Sequence, residues 1–272
     1  MDKLIDVIVA GAAGRMGRNI VSQVLQNPCL TLSGSFEHPD NSDIGKDAGI
    51  LAGWGDSGIK IRSSLIKAGY GDVIVDFTSP EATRKIIELA ASSKTAMVIG
   101  TTGLNQEDLA KLRKSAEKNF PCVQAPNMAI GVNILFKLVE KTASILGNDY
   151  DIEIVEAHHR MKKDAPSGTA LKLGEMAAGA LNRDFVKVGV FERNGIIGER
   201  SKTEIGIQTV RAGDITGEHT VYFAGLGERI ELTHRAHNRN NFASGATLAA
   251  EWVIGKPNGL YTMFDVLGLN DF

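Results

Sequence analysis

The sequence predicts an α/β protein, a parallel-sheet domain followed by a second, α+β domain. Three observations predict it. Up to about residue 130, short continuous apolar runs alternate with amphipathic segments, the mark of a parallel sheet covered on both faces. Beyond that point the runs alternate polar and apolar residues, as half-buried strands do. The chain has 272 residues, of which 43% are hydrophobic and 23% charged, which suits two globular domains.

Asp6–Ala10 reads as a buried strand, and Arg15–Gln26 as a helix. Leu30–Glu37 is a second strand. The segment 38–60 has five glycines and little periodicity, and reads as a mobile loop. Asp72–Phe77 is a strand, followed by a proline-initiated helix over Pro80–Ser92. Ala96–Gly100 is a strand, 105–118 a charged helix, and Cys122–Gln124 a strand. Gly131–Leu146 is a long helix with Ile134, Leu135, Leu138, Val139, Thr142 and Ile145 on one face. Asp151–Glu156 alternates as a half-buried strand. Glu204–Arg211, Glu218–Ala224 and Arg229–Ala236 are separated by glycine turns and read as an antiparallel meander. A helix over 242–254 and a short tail follow.

The formal net charge of −2 excludes a molecule built as a whole to bind nucleic acid. No apolar stretch is long enough to span a membrane. The start, MDKLIDVIVAGAAG, runs into a strand pattern and lacks the parts of a signal peptide. Cys29 and Cys122 sit in no metal or redox spacing and read as small buried side chains of a protein in a reducing cytoplasm.

Two stretches carry chemistry. Gly11-Ala12-Ala13-Gly14-Arg15-Met16-Gly17 lies between a strand and a helix, where a dinucleotide pyrophosphate rests on a helix N-terminus. Its GxxGxxG spacing is weak alone. Glu37, 20 residues after Gly17, strengthens it, because a carboxylate there can accept hydrogen bonds from ribose hydroxyls. Gly100-Thr101-Thr102-Gly103 and Ala125-Pro126-Asn127-Met128 also follow strands and would flank a nicotinamide.

The second stretch is EAHHRMKKDAPSGTA, residues 156–170. His158 and His159 are neighbours at a strand end, so their side chains diverge and no metal site is expected. Ser167-Gly168-Thr169 opens a helix over Ala170–Leu181, whose unpaired amides suit an anion. Clustered cations and oriented amides together suit a small acid with more than one carboxylate. A histidine, or a lysine among cations, can donate the proton that accompanies a hydride. The residues alone therefore describe a nicotinamide-dependent reductase of a small dianionic substrate. A different oxidoreductase, such as an aspartate dehydrogenase, would share the glycine turn, as would a non-enzymatic nucleotide sensor, which would not need Lys162.

The 156–170 stretch closely resembles the signature of the dihydrodipicolinate reductase (4-hydroxy-tetrahydrodipicolinate reductase) family of lysine biosynthesis. VAGAAGRMGR, VDFTSPEAT, VIGTTGL, NMAIGVN, GERIELTH and DVLGLND resemble family segments in family order. The resemblance implies a Rossmann-like domain over 1–130 and 240–272, and a substrate-binding and tetramerisation domain with an open mixed sheet over 131–239. It implies reduction, by NADH or NADPH, of the cyclic imine formed from pyruvate and aspartate semialdehyde, on the diaminopimelate route, by a cytoplasmic homotetramer. His158 matches the acid/base histidine and Lys162 the proton-donating lysine. His159, Ser167, Gly168, Thr169 and, less closely, Arg239 match substrate-binding positions. Gly11 to Met16, Glu37, His38, Gly100 to Thr102, and Ala125, Pro126, Asn127 and Met128 match cofactor contacts. His38 stands where the family often has arginine, and Met128 where it has an aromatic.

Overall fold

The structure is a computed structural model that describes residues 3–271, so the outermost positions of the expected first domain, 1, 2 and 272, lie outside the described residues. In chain order the elements are β1 (Ile5–Ala10), α1 (Arg15–Gln26), β2 (Leu30–Phe36), α2 (Ala48–Leu51), α3 (Leu65–Ala68), β3 (Val73–Asp76), α4 (Pro80–Ser93), β4 (Ala96–Ile99), α5 (Gln106–Asn119) and β5 (Pro121–Gln124). Then come α6 (Ile130–Leu146), β6 (Asp151–His158), α7 (Gly168–Ala180), α8 (Phe185–Val188), β7 (Gly189–Val190), β8 (Ile205–Arg211), β9 (Gly217–Ala224) and β10 (Arg229–Ala236). The chain closes with α9 (Asn240–Val253), β11 (Gly259–Tyr261) and α10 (Met263–Val266). It forms two compact units, one holding everything up to Ile130 together with Arg239–Asn270, the other Gly131–Asn238.

The first unit is a six-stranded sheet in the order β11-β5-β4-β3-β1-β2, every pairing parallel. The all-apolar strands lie where they do because both faces are covered. Val7, Val9, Val73, Val75 and Val98 face one core with α1 and α9, while Ile8, Ile74, Met97 and Ile99 face the other with α4 and α5. The strand order reverses at β1, which lies between β2 and β3, and ligands bind at such a point beyond the carboxyl ends of the strands. β11 is too short to announce itself in the sequence. The segment 38–60, expected as a mobile loop, is built: it carries α2, and Asp47 accepts from Ile50 N, Ser57 N and Ser57 Oγ. Side-chain-to-backbone bonds of this kind leave no periodicity.

The second unit is a five-stranded mixed sheet, β10-β9-β6-β8-β7. β9 and β10 pair antiparallel as expected, but the first step of the expected meander is corrected. β8 and β9 are not neighbours, because β6 lies between them, parallel to β8 and antiparallel to β9. Alternation fixes which face a residue takes, not which strand lies beside it. Ile152, Ile154, Ile205, Ile207, Val221 and Phe223 are buried on the face that α7 covers with Ala170, Leu173 and Ala177. In α6 the buried stripe is Val132, Leu135, Phe136, Val139 and Ala143, whereas Ile134 and Ile145 of the expected face are exposed. Cys122 is buried, but Cys29, expected to be buried too, is exposed in the turn before β2.

Candidate active site

In the first unit every candidate cofactor residue lies at the carboxyl end of a parallel strand. Gly11 to Gly14 link β1 to α1, with Arg15 and Met16 as its first helical residues; Glu37 and His38 follow β2. Gly100 to Thr102 follow β4, and Ala125 to Met128 follow β5. Gly11 takes a positive φ of 67° that favours glycine. A Cβ on Gly17 would lie 2.0 Å from Gly11 O, so the helix can close on the turn only without a side chain there.

The head of α1 fits a pyrophosphate. Its N-cap, Gly14, offers no side-chain cap, and its first turn has no acidic residue. Helices α4, α5 and α7, by contrast, are capped by Ser79, Asn105 and Ser167. A helix start without a capping side chain presents its amides and positive dipole end to an anion. Glu37 is held beside the turn, Oε2 accepting from Ala13 N at 3.2 Å and Oε1 from His38 N at 2.9 Å. Ala12, Ala125 and Met128 are buried in the core and shape this edge from behind.

Sequence reasoning gave no role to Asp76, at the end of β3. It is fully buried and accepts from Thr78 N, Thr78 Oγ1 and Thr83 Oγ1 at 3.0, 2.6 and 2.5 Å. Thr101 Oγ1 accepts from Thr78 N at 3.0 Å and lies 3.0 Å from Thr83 Oγ1. Burial pushes the Asp76 carboxyl up, against the pull of those hydrogen bonds. Asp76 thus ties the loops after β3 and β4 together.

In the second unit the site forms at one end of β6. Side chains two apart in a strand share a face, so Glu156 and His158 stand together on the face α7 covers. Strand pairing sets Thr209 and Arg211 of β8 opposite Glu156 and His158, and His219 of β9 opposite Glu156. Glu156 is fully buried and completely engaged. Its Oε2 lies 2.6 Å from His158 Nδ1 and 2.7 Å from Arg211 Nη1. Its Oε1 accepts from Arg211 Nη2 at 2.8 Å, Ser167 N at 3.0 Å and Thr209 Oγ1 at 3.2 Å. Desolvation opposes its charge, yet the bonds from His158, Arg211 and Ser167 outweigh it and hold the carboxyl far below the usual carboxylate range.

His219 is 4% exposed and stands edge-on to the His158 ring, centroids 5.2 Å apart. Burial pushes it down to about 3, so it is neutral near pH 7. Its Nε2 lies 3.0 Å from Ser167 Oγ, which also caps α7 by accepting from Ala170 N. Ser167 is therefore used up within the protein, both amide and hydroxyl. Gly168 and Thr169 head the helix, and a Cβ on Gly168 would meet nothing within 4 Å.

Of the loop cations, Lys162 is paired with Asp164 at 2.9 Å, and that contact lowers the Asp164 carboxyl. Arg160 and Lys163 are exposed, and His159 is half-buried. Arg239 lies just before α9, in the first unit. Sequence reasoning missed Glu156, Arg211 and His219. Glu156 had a signal: it falls on the buried phase of Ile152, Ile154, Glu156, where an unpaired carboxylate would be costly. Among the described residues no cluster of His, Cys, Asp or Glu is placed to hold a metal ion.

Comparison with known proteins gives a consistent result. The family profile described as "Dihydrodipicolinate reductase, N-terminus" matches residues 5–128, and "Dihydrodipicolinate reductase, C-terminus" matches 131–267. A 4-hydroxy-tetrahydrodipicolinate reductase of Desulfotalea psychrophila is 57% identical, over 97% of this chain and 98% of its own. One of Geobacter metallireducens is 51% identical, over 98% and 100%. A solved dipicolinate-bound dihydrodipicolinate reductase from Paenisporosarcina sp. TG-14 superposes with a TM-score of 0.74 at 28% identity, covering 97% of this chain and 99% of that one.

Proposed function

We propose, from the premise that this chain belongs to the dihydrodipicolinate reductase family, a division of labour in which the first unit binds the dinucleotide and the second binds substrate and supplies the proton. The chain is an NAD(P)H-dependent oxidoreductase. It reduces the dehydrated form of 4-hydroxy-tetrahydrodipicolinate to tetrahydrodipicolinate, in the diaminopimelate route to lysine. Reduction adds a hydride and a proton to neighbouring carbons.

The dinucleotide, when bound, supplies the hydride. The α1 head and the Gly11–Gly14 turn hold its pyrophosphate, Glu37 its ribose hydroxyls, and the loops 100–102 and 125–128 border its nicotinamide. In the second unit Gly168 and Thr169 at the head of α7 hold a substrate carboxylate, and His159 in the adjoining loop adds a hydrogen-bonding group. His158 at Nε2 or Lys162 at Nζ delivers the proton. One observation carries this reading: His158 Nδ1 and Ser167 N both bond Glu156, so the proton-handling ring and the anion-holding helix start are adjacent.

The experiment that tests the activity supplies pyruvate, aspartate semialdehyde, the upstream condensing synthase and NADH, and follows nicotinamide absorbance. Substrate-dependent NADH oxidation is the expected result, and its absence would sink the reading. The proposed assembly is a homotetramer formed through the face of the second sheet that α7 does not cover. The proposed compartment is the cytoplasm, which suits two free thiols. No described helix is long and apolar enough to cross a membrane.

A further inference from the structure

We infer that Glu156 is a positioning residue that sets the tautomer of His158, holding its proton on Nδ1 and leaving Nε2 as the working nitrogen. The inference rests on the reading of His158 as a proton-handling group and goes beyond it. A neutral imidazole in water favours the proton on Nε2, so the opposite tautomer needs a specific partner. Glu156 Oε2, 2.6 Å from Nδ1, is that partner, because a carboxylate can only accept. Nε2 has no hydrogen-bond partner among the described residues. It borders Gly217, where a Cβ would lie 3.1 Å from it, so the missing side chain leaves the ring room.

The groups facing this pair from every side agree. Arg211 of β8 forms two charged hydrogen bonds to Glu156, one to each oxygen, and keeps it ionised. Thr209 of β8 and Ser167 at the head of α7 donate to Oε1. His219 of β9 is neutral and bonded to Ser167, so it adds no charge beside the ring. Lys162 in the adjoining loop is neutralised by Asp164, whose carbonyl oxygen accepts from Arg211 at 2.7 Å. The same carboxylate therefore fixes the ring through Oε2 and the helix head through Oε1.

This asymmetry makes Glu156→Gln informative. Three donors converge on Oε1, and the amide oxygen will take that place. The NH₂ group then occupies the Oε2 place, gives up the bond from Arg211 Nη1, and donates to His158 Nδ1, which moves the ring proton to Nε2. A purely structural role for Glu156 predicts no such reversal.

The test is ¹⁵N NMR of histidine-labelled protein at a pH where His158 is neutral, the His158 signal being identified by its loss in His158→Gln. The wild type should show the Nδ1–H tautomer and Glu156→Gln the Nε2–H tautomer. Turnover of the variant should fall about 10²–10⁴-fold, while NADH affinity is unchanged. An Nε2–H wild-type ring overturns the inference, and that measurement does not depend on the variant folding. Wild-type turnover in Glu156→Gln overturns it as well. Wild-type turnover in His158→Gln would instead remove the reading of the site beneath it. Loss of turnover in His158→Gln with an Nε2–H wild-type ring leaves that reading standing and the inference overturned.

Discussion

At the level of single residues, Glu37 is the group proposed to set the cofactor choice. Its carboxylate is fixed beside the glycine turn by Ala13 N, ready for free ribose hydroxyls and repulsive to a 2′-phosphate. The neighbouring cations do little to offset it. His38 is largely exposed and 3.7 Å from Asp40, and an imidazole gains charge only as pH falls. Lys46, the alternative cation, is bonded to Asp43 at 2.6 Å, and Asp43 also holds Arg18. The expected outcome is that NADH is used at least as well as NADPH at pH 8, and that NADPH gains on moving to pH 6. Measuring kcat/KM for both cofactors at the two values decides it, and a strong NADPH preference at pH 8 would contradict the account. His158 and Ser167 could be singled out together because they lie in one contiguous stretch, and both bond Glu156. Arg211 and His219 could not, because only strand pairing brings them to Glu156, from positions 55 and 52 residues beyond Glu156 and Ser167 respectively.

At the scale of elements, α1 and β9 each give a prediction. Gly17→Ala forces a Cβ against the Gly11 carbonyl, which is backbone and cannot swing aside. Stability should fall by about 1–3 kcal/mol and NADH affinity should drop, since the turn must open. Calorimetry and NADH titration of the variant check both, and unchanged affinity would remove the turn from the cofactor site. His219 on β9 makes stability depend on pH. Its folded value, about 3, lies below its ordinary 6.5, so the unfolded chain takes up a proton that the folded chain refuses. The stability is complete above about 6.5 and should fall by about 1.4 kcal/mol per pH unit below it, toward the folded value. His234, also lowered by burial, adds to the same slope, while Glu156 enters only below its ordinary 4.5. Urea unfolding at pH 7.5, 6 and 5 should show a shallower slope in His219→Gln than in the wild type, and equal slopes would refute it. The parallel strands of the first unit were legible because both faces are apolar. The neighbours of β8 and β9 were not, because alternation fixes a face and leaves order open.

The whole molecule is read as two units with separate tasks, and both the assembly and the division of labour can be measured. The second sheet has a face that α7 does not cover. Glu153, Thr220, Tyr222 and Thr233 lie on it, so an interface there would be largely polar. Light scattering at working concentration should give four times the mass of one chain, and a monomer would contradict the proposed assembly. The most direct test of the central claim, that the second unit supplies the proton while the first binds the dinucleotide, is Lys162→Ala measured two ways. Turnover should fall about 10²–10⁴-fold, and NADH affinity by titration should match the wild type. Wild-type turnover in the variant, or a loss confined to NADH binding, would contradict the account.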